Sequence, residues 1–273
     1  MENKIVLVTG STDGIGKQTA LELAKKNAYV LIHGRNPGRC HKTIDEIKAI
    51  SGNNKLKPFV ADFSSLNQVR KLARQINRQF QHLDVLINNA GVSEKSYKES
   101  GDGLEMTFAV NHLAPFLLTL LLLDMIKQSP RGRIINVSSI AHYRIPGIDF
   151  DDLDLKNNYN GYKAYCQSKL CNILFTYELA EQLKETTVTV NCLHPGVIDT
   201  KLLRSNLGIG GASLDEGAKT SVYLASAPAL ETVTGKFFSD CQESESSNYS
   251  QNIKARKRLW EISLQLTKFK INS

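Results

Sequence analysis

Hydrophobic strands and amphipathic helices alternate along this chain, and this alternation limits the possible folds more than any other feature. The first two strands are predicted at residues 4–9 and 29–33, with a helical pattern over 14–27 between them. Further strands follow at 56–61, 83–88, 133–138, 187–193 and 235–239, and helical segments separate them. Strands joined by helices of ~12 or more residues pair in parallel through right-handed crossovers. The pattern predicts a single doubly wound α/β domain over residues 1–273, with a mostly parallel seven-stranded sheet.

A glycine-rich segment joins the first predicted strand to the first predicted helix. Its sequence is Thr9-Gly10-Ser11-Thr12-Asp13-Gly14-Ile15-Gly16. Glycines let the backbone turn tightly and approach a ligand closely, and the free N–H groups at the start of a helix favour phosphate. Because the motif lies between a strand and a helix at the start of the pattern, it predicts a dinucleotide site rather than an ordinary loop.

The end of the second strand distinguishes between the two nicotinamide cofactors. A carboxylate at that place would bind the ribose 2′-hydroxyl of NAD. Here the chain reads His33-Gly34-Arg35-Asn36, with no acid and with an arginine that can bind a 2′-phosphate. Arg39 follows in the next helical turn. These residues predict NADP(H) as the cofactor, and the alternative is that Arg35 is an ordinary solvent-exposed arginine.

Two tyrosine–lysine pairs with a spacing of four lie close together, and their contexts differ. Tyr165 and Lys169 lie in a helical pattern, so their side chains would share one face. A nearby ammonium favours the phenolate and lowers the pKa of a tyrosine, which can then exchange protons with an alcohol near neutral pH. Tyr159 and Lys163 follow turn-forming residues that provide no helix to align them. We therefore predict Tyr165 as the proton-transfer residue; the simpler alternative is a solvated helix face.

Five motifs follow one another in the order typical of the short-chain dehydrogenase/reductase family. They are TGxxxGxG at 9–16, Asn88-Asn89-Ala90-Gly91, Ser138-Ser139, Tyr165-xxx-Lys169 and Pro195-Gly196. Within that family the chain resembles the retinol dehydrogenases, through the segments 135–142, 149–153, 164–175 and 194–196 and a loop of 25 residues between Ser139 and Tyr165. The resemblance covers about residues 4–240 and implies a Rossmann-type fold and an oxidoreductase.

The resemblance implies a catalytic tetrad of Asn111, Ser139, Tyr165 and Lys169. In it Tyr165 is the acid–base residue, Lys169 lowers its pKa and binds the nicotinamide ribose, and Ser139 hydrogen-bonds the substrate oxygen. Ser138 cannot share this role because neighbouring strand residues point to opposite faces. Pro115 has no N–H for the carbonyl of Asn111, so we expect a kink that leaves this carbonyl free. The resemblance implies that this carbonyl holds a water that connects Lys169 to solvent. The alternative is a simple kink in a buried helix.

The glycine-rich segment and the resemblance together imply a set of cofactor contacts. They are Gly10, Ser11, Thr12, Asp13, Gly14, Ile15, Gly16, Arg35, Asn36, Asp62, Phe63, Asn89, Ala90, Gly91, Tyr165, Lys169, Pro195, Gly196, Val197 and Thr200. The resemblance places Asp62 and Phe63 at the adenine, residues 89–91 at the adenosine ribose, and the last four residues at the nicotinamide. Asn88 is interpreted as a structural residue that ties strands together.

Two segments after the sixth strand are candidates for the substrate side. Residues 201–213, where the family carries its substrate lid, combine three glycines with apolar side chains: Leu202, Leu203, Leu207 and Ile209. Only Lys201 and Arg204 in that segment could bind an anion, so an apolar substrate is expected. Residues 251–270 form a basic amphipathic helix that contains Trp260. It would dock on its own domain or close the pocket, and the alternative is an anionic membrane surface.

Composition limits the cellular compartment and the classes of partner that are expected. The net charge is +7, but the basic residues are spread along the chain, so nucleic acid is not expected as a partner. Five cysteines without a CxxC motif favour reduced thiols in the cytoplasm, and no histidine spacing indicates a metal.

The apolar run 116–125 is shorter than the ~20 residues of a membrane span. A strand that begins at residue 4 leaves no room for a signal peptide, so any membrane contact would be peripheral, through the C-terminal helix.

These observations predict an NADP(H)-dependent oxidoreductase that interconverts a carbonyl and an alcohol, on lipophilic aldehydes and ketones or retinoid-like substrates. A steroid or quinone-type reductase on the same machinery is the alternative among enzymes. A non-catalytic NADP(H)-sensing scaffold is the alternative from another class, although a pure binding protein has no need of Tyr165. The apolar run 116–123 and the helix of Tyr165 could also form the helix-bundle interface of a homodimer.

Overall fold

The centre of the molecule is an eight-stranded sheet in the order β3-β2-β1-β4-β5-β6-β7-β8. The computed structural model describes residues 1–207 and 210–270. The strands are β1 (Ile5–Val8), β2 (Tyr29–Gly34), β3 (Leu56–Val60), β4 (Val85–Asn88), β5 (Arg133–Val137), β6 (Thr189–His194), β7 (Phe237–Ser239) and β8 (Gln242–Ser244). The first seven strands pair in parallel, and β8 pairs antiparallel with β7.

Helices cover both faces of this sheet. On one face lie α1 (Gly14–Lys25), α2 (Pro37–Ser51) and α8 (Leu214–Ser226). On the other lie α3 (Leu66–Gln79), α4 (Met106–Phe108), α5 (Ala114–Lys127), α6 (Gly161–Gln182) and α9 (Ile253–Thr267). A short helix, α7 (Lys201–Leu207), follows β6. The arrangement confirms the predicted doubly wound α/β fold with a mostly parallel sheet.

The central strands are mainly hydrophobic because the sheet separates two cores. In β1, Leu7 packs into the core beneath α3, α5 and α6, whereas Val6 and Val8 pack into the core beneath α1, α2 and α8. In β5, Ile134 and Ile135 divide between the same two cores. Successive strand residues point to opposite faces, so a strand covered on both sides needs apolar residues at nearly every position.

The predicted count of seven strands is wrong by one edge strand. The chain reverses after β7 through Asp240 and Cys241, whose φ angles are 48° and 58°, and returns as β8. Positive φ at two successive residues is typical of a tight two-residue hairpin turn. The turn lacks glycine, and the sequence of β8 is Gln-Glu-Ser, so neither the turn nor the strand carries a hydrophobic signal.

The helical segment between β4 and β5 contains a π-helical turn. The carboxylate of Glu105 caps α4 by accepting from the N–H groups of Thr107 and Phe108. Residues Ala109–Leu113 then form the π turn, in which the N–H of Ala114 donates to the carbonyl of Ala109. Pro115 begins the next helix. Since proline has no N–H to donate four residues back, the chain adopts this wider turn at the place where a kink was expected.

The C-terminal helix α9 docks on its own domain. Trp260 packs edge-on against Phe116, with ring centres 5.0 Å apart, and stacks on Phe175 at 6.1 Å. Ser263 in α9 lies 2.8 Å from Nε2 of the buried His112. These contacts bear out docking of the apolar stripe of this helix on its own domain, and peripheral membrane contact stays a prediction. They also cover part of the α5 and α6 surface suggested for a dimer, and the homodimer stays a prediction.

One helical segment, Met106–Lys127, is long and apolar enough to cross a membrane by length and composition, with a mean hydropathy of 1.8. However, 78% of that window is buried inside the fold. Phe116, Leu117, Leu118 and Leu122 are fully buried in the core. The segment therefore has the position of a core helix.

Candidate active site

A cleft of about 1060 Å³ opens at the carboxyl ends of the parallel strands. The loops that follow β1, β2, β3, β4, β5 and β6 all contribute to its wall. The strand order runs from β1 to β3 in one direction and from β4 to β6 in the other. Ligands of doubly wound proteins bind where the strand order reverses, so the cleft lies at the expected place.

The glycine-rich segment forms the floor of the cleft and leads into α1. Gly10 and Gly14 have φ angles of 63° and 53°, which favour glycine. A Cβ atom at Gly16 would lie 2.4 Å from the carbonyl oxygen of Gly10, so this position tolerates no side chain. The loop thus brings its backbone and the amino end of α1 to the cleft. These are the features that a cofactor pyrophosphate requires, and the segment fits such a group.

His33 fixes this loop from below, and the sequence analysis missed its role. The N–H of Gly10 donates to Nδ1 of His33 at 3.1 Å, and Nε2 lies 3.1 Å from the carbonyl oxygen of Ala61. The ring stacks on Phe63 at 4.4 Å, and burial lowers its pKa to about 4. The imidazole is therefore neutral, with its proton on Nε2. The sequence signal that could have indicated this role was the position of His33 at the end of β2, opposite the glycine-rich loop.

A second set of contacts ties the loop after β4 to the glycine-rich segment. The hydroxyl of Thr9 accepts from the N–H groups of Asn89 and Ala90, and the side chain of Asn89 donates to the Thr9 carbonyl at 2.8 Å. The amide of Asn88 points into the fold and donates to Asn136 at 2.8 Å. This confirms the prediction that Asn88 is structural.

Charged side chains gather at the end of the cleft formed by α1 and α2. Asp13 forms ion pairs with Arg39 at 3.0 Å and with Lys201 at 2.6 Å. The hydrogen bond from Lys201 is the main reason that the pKa of Asp13 is lowered. Asn36 caps α2 by accepting from the N–H of Arg39. Arg35 is exposed and lines the cleft, and no described carboxylate lies within ion-pairing distance of it. Three cations thus face one carboxylate there, which suits a phosphate.

Ser139, Tyr165 and Lys169 converge at the opposite end of the cleft. Ser139 follows β5, and its hydroxyl hydrogen-bonds Tyr165. Lys169 lies one turn along α6 from Tyr165, and its ammonium donates to the carbonyl of Val137 at 3.0 Å. The hydroxyl of Ser138 points away from the cleft and donates to the Lys169 carbonyl. Only Ser139 of the two serines is therefore available to a substrate.

The protonation states at this end differ from the expectation for Tyr165. Burial raises the pKa of Tyr165 to about 12, and the hydrogen bond with Ser139 offsets only part of that rise. Burial also lowers the pKa of Lys169 to about 8. The Lys169 ammonium lies 5.5 Å from the centre of the Tyr165 ring, over its face rather than at the hydroxyl. In the protein alone, burial therefore outweighs the predicted lowering by the lysine.

Asn111 lies beneath the cleft, within the π turn. Its side-chain carbonyl accepts from the N–H of Val92 at 2.8 Å, and its amide donates to the hydroxyl of Ser168 at 2.9 Å. Ser168 precedes Lys169 in α6, so Asn111 joins the loop after β4 to the helix that carries the lysine.

The competing pair, Tyr159 and Lys163, is not aligned. Tyr159 precedes α6, whose cap is Asn160. Its hydroxyl donates to the carbonyl of Glu94 at 3.1 Å and to the Glu105 carboxylate at 2.9 Å. Burial raises the pKa of Tyr159 far above its ordinary value. It is a structural tyrosine that anchors the loop after β4.

The structure brings nearly all of the predicted cofactor residues to the cleft. Ser11 is the exception, because it is fully buried and its hydroxyl accepts from the N–H of His33. In the lid, Leu202 and Leu203 line the cleft. The side chain of Leu207 and the whole of Ile209 lie outside the described residues. The sequence analysis did not single out Thr9, His142, Arg144 or Tyr162, which surround the site.

Comparison with known proteins now identifies the family. The family model for short chain dehydrogenases matches residues 4–207. The chain belongs to the short chain dehydrogenase family. Its sequence is 41% identical over 272 residues to retinol dehydrogenase 12 of Bos taurus, covering 96% of this chain and 86% of the bovine protein. It is also 41% identical over 281 residues to retinol dehydrogenase 13 of Homo sapiens, covering 96% and 84% of the two chains.

Solved structures share the same fold. A protein from Mycobacterium paratuberculosis superposes with a TM-score of 0.83 at 30% identity and covers 100% of this chain and 96% of its own. A short chain dehydrogenase from Escherichia coli CFT073, complexed with NADPH, has a TM-score of 0.75 at 23% identity and covers 89% and 98%. The predictions of a retinol dehydrogenase-like short chain dehydrogenase, and of an enzyme that interconverts a carbonyl and an alcohol, are confirmed.

Proposed function

We propose that this dehydrogenase uses NADP(H) and acts on lipophilic aldehydes and ketones or retinoid-like compounds. One observation carries the proposal: Ser139, Tyr165 and Lys169 converge at one end of a cleft whose other end presents the exposed Arg35. A proton donor and a cationic phosphate site at opposite ends of one cleft suit a phosphorylated dinucleotide with its reacting ring beside Tyr165.

The cofactor would be held by the backbone of the glycine-rich segment, by residues 89–91 and by residues 195–200, with Arg35 at the 2′-phosphate. When bound, it supplies or accepts the hydride. The paired charges of Asp13, Arg39 and Lys201 leave Arg35 as the cation that is free to bind an additional phosphate. The absence of a carboxylate after β2 supports NADP(H) over NAD(H).

The chain's own residues handle the proton. Because the pKa of Tyr165 is about 12, its phenol is protonated at neutral pH and can donate to an alkoxide that develops on the substrate. Ser139 hydrogen-bonds the same oxygen and holds it beside the phenol. The ammonium of Lys169 would supply positive charge beneath the ring, and Asn111 would hold the lysine's helix in place. At neutral pH the phenol is thus in the protonated form that reduction of a carbonyl requires.

The walls of the cleft support an apolar substrate. Ile140, Val197, Leu202 and Leu203 line it, and 52% of Ile140 and 48% of Val197 are exposed. Binding is favoured when a ligand covers apolar surface, because that surface is removed from water. A steroid or quinone would use the same walls, and only a comparison of substrates separates these classes.

We further propose a cytoplasmic location, which the five free cysteines support. Peripheral contact with a membrane through the C-terminal helix is the alternative. Small carbonyl and alcohol compounds are the proposed partners, with no nucleic acid and no metal. Among the described residues, no cluster of histidine, cysteine and carboxylate side chains could hold a metal ion.

The test is a panel of aldehydes, ketones, steroids and quinones, with the consumption of NADPH and NADH followed for each. We expect turnover with NADPH and with apolar aldehydes or retinal-like compounds. Binding of NADPH without turnover of any member would favour the non-catalytic scaffold. Faster turnover of steroids or quinones than of aldehydes would move the substrate class to the alternative enzyme.

A further inference from the structure

A basic side chain lies beside the catalytic tyrosine on the substrate side of the cleft. Arg144 lines the cleft, and its guanidinium lies close enough to Tyr162 to offset part of the rise that burial causes in the pKa of that tyrosine. Tyr162 lies three residues before Tyr165 in α6, so the two tyrosines lie about one helical turn apart on one side of the helix. Arg144 therefore lies close to the place where the substrate carbonyl must react.

The turn that carries Arg144 is held in place at several points. It is a 3₁₀ turn, Ile140–Arg144, that begins directly after Ser139. His142 is fully buried, with Nδ1 2.6 Å from the Ser139 carbonyl, and its Nε2 accepts from the N–H of Ser247 at 3.1 Å. The hydroxyl of Tyr143 donates to the carbonyl of Glu245 at 2.5 Å. The backbone of Arg144 is thus fixed relative to the catalytic serine.

The charge of Arg144 is not neutralised by the protein. No described carboxylate lies within ion-pairing distance of its guanidinium. Another cation in the wall of the cleft, Lys98, forms an ion pair with Glu94 at 2.5 Å. Beside Arg144 lie the exposed apolar surfaces of Ile140 and Tyr162. The rim therefore combines one free positive charge with apolar contact area.

We propose that Arg144 binds a carboxylate on the substrate, and that the lipophilic ketones reduced by this enzyme include amphiphilic keto acids. Their apolar body would cover Ile140, Val197 and Leu203, and their carboxylate would lie a few bonds from the reacting carbonyl. A planar guanidinium binds a carboxylate through two parallel hydrogen bonds. This inference rests on the proposed carbonyl–alcohol chemistry and specifies its substrate. The sequence analysis considered anion binding only in the lid, whereas Arg144 lies in the loop after β5.

The experiment compares a medium-chain keto acid with its methyl ester, which has the same skeleton without the charge. The kcat/KM of both is measured with NADPH for the wild type and for Arg144→Gln and Arg144→Lys. We expect the wild type to prefer the acid by about two- to fivefold, a range suited to an exposed ion pair. Arg144→Gln should lose this preference through a higher KM for the acid, with little change for the ester, and Arg144→Lys should recover part of it.

Lys163→Gln is the matched control, because Lys163 is an exposed cation next to Tyr162 that does not line the cleft. It should keep the acid-to-ester ratio. An equal ratio in the wild type and Arg144→Gln would overturn the inference, even while turnover of the ester upholds the proposed chemistry. If neither compound is reduced, the proposed chemistry fails for this class. In that case the affinity of the keto acid for the NADP complexes of the wild type and of Arg144→Gln is measured by calorimetry. Equal affinities would overturn the role of Arg144, and weaker binding by Arg144→Gln would support it.

Discussion

The backbone N–H of Gly10 donates to Nδ1 of His33, which is protonated on its other nitrogen and directed at the carbonyl of Ala61. One neutral imidazole thus joins the loop after β1, the end of β2 and the residue that follows β3. The conformation of the phosphate-binding loop therefore depends on the His33 imidazole, which contacts the backbone of the loop and stacks on Phe63.

Replacing His33 by Phe tests this relationship. Phenylalanine keeps the stacking on Phe63 but leaves the N–H of Gly10 without its acceptor. The loss of one such hydrogen bond costs about 1 kcal/mol, so we expect NADPH affinity to fall about fivefold, with kcat nearly unchanged. Cofactor affinity is measured by fluorescence titration. His41→Phe, at an exposed position of α2, is the control. Unchanged affinity in His33→Phe would show that the loop holds its shape without the ring.

Arg35 should determine the choice of cofactor. A charge-assisted contact with the 2′-phosphate contributes ~1.5–3 kcal/mol, so the wild type should bind NADPH about 10- to 100-fold more tightly than NADH. Arg35→Ala should lose most of this preference by binding NADPH more weakly. Arg39→Ala should have a smaller effect, because Arg39 already pairs with Asp13. Equal affinities of the wild type for both cofactors would contradict the NADP(H) assignment.

The buried histidines should make the fold sensitive to acid. Burial lowers the pKa of His33 and His194 to about 4 and that of His112 to about 3, from an ordinary value of 6.5. Between those values the unfolded chain binds more protons than the folded chain, so the free energy of unfolding falls as the pH falls below 6.5. The loss should reach several kcal/mol, on the order of 1.4 kcal/mol for each unit by which a pKa is shifted.

Urea unfolding at a series of pH values between 7 and about 4 measures this slope. His112→Phe should reduce the slope by about one proton, because His112 then no longer titrates in the unfolded chain. It should also lower the stability at neutral pH, because the contact between Nε2 and Ser263 is lost. An unchanged slope in this variant would exclude His112 as a source of the acid sensitivity.

The apolar walls of the cleft should select long substrates. Each buried methylene strengthens binding by about 0.8 kcal/mol, so kcat/KM should rise roughly fourfold per methylene along a series of unbranched aldehydes. The gain comes from binding that is equal in the ground state and the transition state, so it should appear mainly in KM. Leu203→Asp should flatten the trend, and Leu203→Met should keep it. A flat or falling trend in the wild type would contradict a lipophilic substrate.

The sequence was sufficient to predict the fold because the signals that indicate this fold are local. Alternating strands and helices, the glycine-rich segment and the tyrosine–lysine spacing each need only neighbouring residues. The eighth strand was missed because Asp240 and Cys241 form a hairpin turn without glycine, and β8 itself has no apolar residue.

The arrangement of charges could not be predicted from the sequence, because it depends on contacts between residues that are far apart in the chain. Lys201 meets Asp13 across 188 residues of sequence. The turn that carries Arg144 is held by the contacts of its neighbours His142 and Tyr143 with Ser247 and Glu245. The pKa of Tyr165 was misjudged for a similar reason. Spacing puts Lys169 on the same helix face, but only the structure shows how deeply both side chains are buried and that the ammonium lies over the ring.

Single-turnover reduction of an aldehyde by bound NADPH, in Tyr165→Phe and Tyr159→Phe, tests the central claim most directly. Tyr165→Phe should slow the chemical step by about 10²- to 10⁴-fold, because the proton donor is lost, while NADPH affinity stays within about twofold of the wild type. Tyr159→Phe should react at nearly the wild-type rate and lose about 1 kcal/mol of stability, because its hydrogen bonds to Glu94 and Glu105 are removed. An active Tyr165→Phe enzyme beside an inactive but folded Tyr159→Phe enzyme would contradict the account.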